Sequence, residues 1–121
     1  MEILFLTTDL LFSSRVAGAA ARIGVPVRTA GRSETLLEMA NASDRPSIVI
    51  LDLNLPIVDP AQLVPALRTA AHPPRAIIAY GPHVQEDRLA AAIAAGSDEV
   101  LTRGQFNAQM DDVLRKWSTA S

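Results

Sequence analysis

The sequence contains no cysteine, so neither a disulfide framework nor a thiolate metal site is available to it. Its two histidines, His72 and His83, have no metal-ligand spacing to each other or to a third ligand. Both read as solvated side chains. No apolar run approaches the ~18 residues that a membrane span needs, because charge interrupts the longest stretches. The first residues, Met1-Glu2-Ile3-Leu4-Phe5-Leu6, lack the basic head and small-residue cleavage site of a secretory signal, so a cytoplasmic location is expected. Aromatics make up only 4% of the chain. Its six glycines fall mostly at helix ends and form no phosphate-cradling loop, which argues against a dinucleotide enzyme. Nor is there an excess of positive charge. The net charge is −2 and the arginines are scattered, so nucleic acid is not expected as a partner.

What remains is a chain of 121 residues, 49% hydrophobic, of a size for one domain with one sizeable core. Short β-rich runs occur at residues 3–6, 25–29, 48–51, 76–80 and 99–101. The first, third and fourth are apolar without alternation, as strands covered on both faces should be. Pro26 marks the second as an edge strand. Helical patterns lie between them. The first runs from about Leu10 to Ile23, with Gly24 as its stop, and Ser33 is a plausible N-cap for residues 34–40. Asp59-Pro60-Ala61-Gln62 offers an N-cap, a proline at the first helical position and a capping-box glutamine. Residues 85–95 form an alanine-rich helix ending at Gly96. The last helix, about 107–118, places Met110, Val113, Leu114 and Trp117 at core spacing. Pro65 lies inside the third helix and predicts a kink, or a regular part that begins only near Val64.

Strand then helix, five times over, predicts an α/β fold with a doubly wound parallel sheet in the order 2-1-3-4-5. Ligands of such folds sit beyond the carboxyl ends of the strands. The loops to inspect are therefore Thr7-Thr8-Asp9, Asp52-Leu53-Asn54-Leu55-Pro56, Tyr80-Gly81-Pro82-His83 and Thr102-Arg103-Gly104.

Two of these neighbourhoods carry a resemblance. The run Ile48 to Asp59 is a hydrophobic strand followed by the pattern D-L-x-x-P-x-x-D, and Ala94 to Arg103 is similar to A-G-A-D-D-Y-L-x-K. From Ile3 to about Trp117 the chain resembles the flavodoxin-like receiver domains of bacterial two-component response regulators, which makes residues 1–121 a single receiver-like domain. The resemblance implies that Asp52 matches the aspartate that accepts a phosphoryl group as a carboxylate nucleophile. In the family, acids after the first strand hold Mg²⁺, a lysine follows the fifth strand, and a Thr or Ser after the fourth strand and an aromatic in the fifth report the event.

This sequence departs from that pattern at every position but the nucleophile. The acid pair is Thr7 and Thr8, which offer oxygen but no charge, and Asp9 follows one place late. The Thr/Ser position aligns with Tyr80, the aromatic with Val100, the lysine with Arg103 and the proline after it with Gly104. The candidate pocket is thus Thr7, Thr8, Asp9, Asn54, Tyr80 and Arg103 around Asp52, and the only candidate metal ligands are Asp9 and Asp52. Arg103 either points to solvent or grips Asp52 with two parallel hydrogen bonds, neutralising it without metal. The expectation is a stand-alone degenerate receiver, not an enzyme and without a cofactor, that acts through protein–protein contacts. Its partner would be a signalling protein such as a sensor kinase, or a second copy in a homodimer. The alternative is a phosphorylatable single-domain regulator that uses Asp52 and Mg²⁺. A third reading is a segment of a larger regulator.

Overall fold

A computed structural model describes residues 1–119. Five strands alternate with five helices. They are β1 (Glu2–Leu6), α1 (Leu10–Ala21), β2 (Val27–Ala30), α2 (Ser33–Ala42), β3 (Ser47–Asp52), α3 (Pro60–Arg68), β4 (Ala76–Gly81), α4 (Glu86–Ala94), β5 (Glu99–Thr102) and α5 (Arg103–Thr119). All neighbouring strands pair in parallel, in the order β2-β1-β3-β4-β5. The order reverses between β1 and β3, so Thr7 at the end of β1 and Asp52 at the end of β3 meet at one carboxyl edge.

Side-chain alternation divides the core into two layers. Leu4, Leu6, Val49, Leu51, Ile77 and Ala79 pack under α2, α3 and α4, with Leu36, Ala40, Leu63, Val64 and Leu67. Ile3, Phe5, Ile48, Ile50, Ile78 and Tyr80 pack under α1 and α5, with Phe12, Val16, Phe106, Met110, Val113 and Leu114. The three central strands are buried along their whole length, which is why their sequences do not alternate. Because a strand repeats every two residues, Ile48, Ile50 and Asp52 share one side, as do Ile3, Phe5 and Thr7. Asp52 and Thr7 therefore emerge on the side covered by α1 and α5. None of the described helices is long and apolar enough to cross a membrane.

Several element ends differ from the sequence reading. β2 begins at Val27 rather than Val25, since Pro26 has no N–H to give and only its carbonyl reaches Ile3. Ser33 is the first helical residue of α2, and Arg32 occupies the cap without a side-chain bond. Gln62 contributes its backbone N–H at the start of α3, while the Asp59 side chain caps Ala61 at 3.1 Å. α1 ends at Ala21, with Gly24 at φ +72° beyond its cap.

Two differences are larger. α3 is helical without a break from Pro60 through Pro65 to Arg68, so its regular part does not wait until near Val64, contrary to the late start expected. Pro65 is exposed, so the Ala61 carbonyl deprived of its intrahelical donor can turn to water. Leu63, Val64 and Leu67 hold the helix on the core, and the Pro65 carbonyl accepts from the Thr69 N–H at 3.1 Å. α5 starts at Arg103, four residues before the expected Asn107. The Thr102 hydroxyl accepts from the Gln105 N–H at 3.1 Å, and the Gln105 side chain accepts from the Thr102 N–H at 2.9 Å. This reciprocal capping box is present in the sequence as Thr-Arg-Gly-Gln.

Candidate functional site at the carboxyl edge of the sheet

Asp52 is 5% exposed, and both of its carboxylate oxygens are engaged. The buried Thr7 hydroxyl donates to Oδ2 at 2.7 Å, and the Asn54 backbone N–H donates to Oδ1 at 2.9 Å. Thr7 Oγ1 in turn accepts the Asp9 N–H at 3.0 Å. One threonine oxygen thus ties the β1–α1 turn to the end of β3. A carboxylate in these surroundings is held by neutral donors alone.

Tyr80 lies directly opposite Asp52 in the β3–β4 register. Its ring is 2% exposed and packs against Phe12 at 4.9 Å, Phe106 at 5.1 Å and Phe5 at 6.0 Å between centroids. Its hydroxyl is buried beside the Thr7 hydroxyl, which it does not meet at full hydrogen-bond geometry. Burial, reinforced by the nearby Asp52 charge, pushes the tyrosine pKa far above its ordinary value, so the phenol stays neutral.

Arg103 does not pair with Asp52. Its guanidinium donates to Asp9 Oδ2 at 2.8 Å and lies 4.7 Å from the centroid of the Phe12 ring. The cause is the early start of α5. As its first residue, Arg103 projects toward α1, where Asp9 has a free oxygen and Phe12 an open ring face. The other oxygen of Asp9 caps α1 by accepting from the Phe12 N–H at 2.9 Å. That backbone bond, joined by Arg103, holds the Asp9 carboxyl below its ordinary pKa despite partial burial. The Asp9–Arg103 pair is partly exposed and is worth no more than ~1 kcal/mol.

The remaining candidates divide. Thr8 and Asn54 are exposed, and Asn54 reaches Asp52 through its backbone rather than its side chain. Val100 packs at the margin of the α2–α4 layer. His72 and His83 are exposed. Beside the site, an open cleft of about 410 Å³ is lined by Leu11, Phe12, Pro82, His83 and Arg103, among others, and neither Thr7 nor Asp52 lines it.

The donor set does not fit a divalent cation. Mg²⁺ asks for several converging oxygens, usually including more than one carboxylate. Asp52 and Asp9 each have both oxygens occupied, Asp9 by a helix cap and an ion pair. Among the described residues, no three of His, Cys, Asp and Glu converge.

Sequence reasoning missed two groups here. Arg88 of α4 donates to the carbonyls of Leu53, Leu55 and Val58, at 2.7, 2.9 and 2.6 Å. Asp98 accepts the Ile77 N–H at 2.7 Å and Arg68 at 2.8 Å, tying β4 and α3 to the start of β5.

Solved structures of the same shape cover nearly the whole chain. A response regulator from Hahella chejuensis matches with TM-score 0.82 and 19% identity, over 98% of this chain and 96% of that one. The fold is that of a receiver domain. The signal receiver domain of a response regulator from Bermanella marisrubri gives TM-score 0.81 and 20% identity over 98% of both chains. The receiver domain of a sensor histidine kinase from Pseudomonas aeruginosa, solved with magnesium coordinated in its active-site cleft, gives 0.80 and 18%, also over 98% of both. No protein-family model and no curated protein matches the sequence. On this receiver fold, Thr7, Asp52, Tyr80 and Arg103 all sit at the carboxyl edge, where ligands of open α/β sheets bind.

Proposed function

We propose that this chain acts as a degenerate receiver domain in two-component signal transduction, through protein–protein contacts and without a phosphorylation cycle. One observation carries the reading. Asp52 is buried with both oxygens engaged by Thr7 and Asn54, while the ring of Tyr80, its register partner on β4, fills the core beside it. A phosphoryl group on Asp52 would have to displace the Thr7 or the Asn54 donor, and would bring charge to an edge where the cation Arg103 is already paired with Asp9. In this reading the domain uses no Mg²⁺, catalyses no reaction and works in the cytoplasm. Its partner is a signalling protein such as a sensor kinase, or a second copy of the chain.

Incubation with acetyl phosphate and Mg²⁺, followed by intact-mass spectrometry, tests this. The expected result is no phosphoryl adduct, and Asp52→Asn should leave partner binding within about twofold of wild type. A stoichiometric adduct that disappears in Asp52→Asn would overturn the proposal and establish Asp52 as a phosphoacceptor.

A further inference from the structure

We infer that Arg88 is a positioning residue, holding the loop after Asp52 in one shape whatever charge Asp52 carries. The inference deepens the reading above, since a receiver that does not switch needs something other than metal or phosphate to set this loop.

Residues 53–58 belong to neither β3 nor α3, so their backbone carbonyls lack ladder and helix partners, and the Leu55 carbonyl has only the Val58 N–H within the loop at 3.1 Å. Arg88 donates to three of them. Its Nε donates to the Leu53 carbonyl, and one terminal nitrogen donates to those of Leu55 and Val58. These are charge-assisted bonds, stronger than bonds between neutral groups. Among the described residues Arg88 forms no ion pair, so its charge serves the carbonyls alone. A lysine has no planar fork with which to span three acceptors. The loop is fixed from its other side as well. The Leu53 N–H donates to the Tyr80 carbonyl at 2.8 Å. Gly81 allows the close approach, since a Cβ there would lie 3.0 Å from that of Leu53. Between these two attachments sits Asn54, whose N–H holds Asp52 Oδ1. Arg88 never touches Asp52; it acts through the loop.

The test is amide hydrogen exchange by NMR on Arg88→Met and Arg88→Lys, alone and combined with Asp52→Asn. The Leu55 and Val58 amides bond within the loop and report it, and the Phe5 and Ile50 amides report the sheet. Arg88→Met should speed exchange at Leu55 and Val58 by about tenfold or more while sheet amides change far less, because only local opening is made easier. Arg88→Lys should fall between Met and wild type, and it carries the experiment if the Met variant does not fold. In the wild-type background, Asp52→Asn should shift the amide signals of its own bonded network, including Thr7 and Asp9, but within the loop only those up to residue 54. In the Arg88→Met background the shifts should spread to Leu55 and Val58. Unchanged loop exchange overturns the inference. So does an equal loss of protection in sheet and loop, or a spread of shifts that does not depend on Arg88. Acetyl phosphate labelling of the wild type is read separately, so failure of the functional proposal and failure of the Arg88 assignment give different results.

Discussion

Replacing Tyr80 with phenylalanine isolates one atom. The hydroxyl is buried with only the Thr7 hydroxyl near it, short of full hydrogen-bond geometry, while the ring is fixed by three aromatic neighbours. Leaving a hydroxyl buried without a partner costs roughly 1–3 kcal/mol in proteins. Tyr80→Phe removes that cost and keeps the ring packing, so the variant should be more stable by about 1–2 kcal/mol. At about 2.1 cal/mol/K per residue the unfolding entropy of a chain this long is roughly 0.25 kcal/mol/K, which converts the gain to a Tm rise of about 4–8 °C. Urea denaturation at neutral pH gives the free energy, and a thermal melt gives the shift. The wild type supplies a second check, because Tyr80 is the only tyrosine. Its pKa is raised in the folded state, so folded protein keeps its proton where unfolded protein loses it. Stability should therefore fall as pH rises past the ordinary value of about 10, with tyrosinate absorbance appearing only as the chain unfolds. A Tyr80→Phe variant destabilised by about 1 kcal/mol or more would refute the reasoning, since it would show the hydroxyl to be bonded.

Thr7→Val keeps the side-chain shape but strips Asp52 Oδ2 of its donor and the Asp9 N–H of its acceptor. Urea curves should show a loss of about 2 kcal/mol, and a cycle with Asp52→Asn should show coupling above ~1 kcal/mol. Asp9→Ala removes the α1 cap and frees Arg103, and should cost about 1 kcal/mol in the same assay. Burial alone would raise the pKa of Glu2, but hydrogen bonds from Arg28 and Ser43 outweigh it and lower the value. The contribution of Glu2 is thus present above the ordinary carboxylate pKa and is lost as pH falls through the folded one, so Glu2→Gln should flatten the acid limb of a stability–pH profile.

The fold could be read early because its signals are local and repeated. Three unalternating apolar runs, Pro26 at an edge and the Asp59-Pro60 helix start each require only neighbouring residues to interpret. Pro65 does not delay the start of α3, for a reason that sequence does not display. The cost of an internal proline depends on whether the deprived carbonyl reaches water, and here that turn faces outward. The start of α5 is legible in Thr102-Arg103-Gly104-Gln105, whose first and last residues cap each other.

That one boundary decided the outcome for Arg103. On a loop leaving β5, Arg103 could have reached Asp52. As the first residue of a helix capped by Thr102 and Gln105, it projects instead toward Asp9 and the face of Phe12. The distance between residues 9 and 103 along the chain offers no clue to such a pair, since only the packing of α1 beside α5 brings them together. Arg88 lies under the same difficulty, because carbonyl acceptors belong to every residue and leave no mark in a sequence. Side chains that meet side chains of fitting chemistry, such as Thr7 and Asp52, can be anticipated from strand ends. Those that meet backbone can be found only once the backbone has a path.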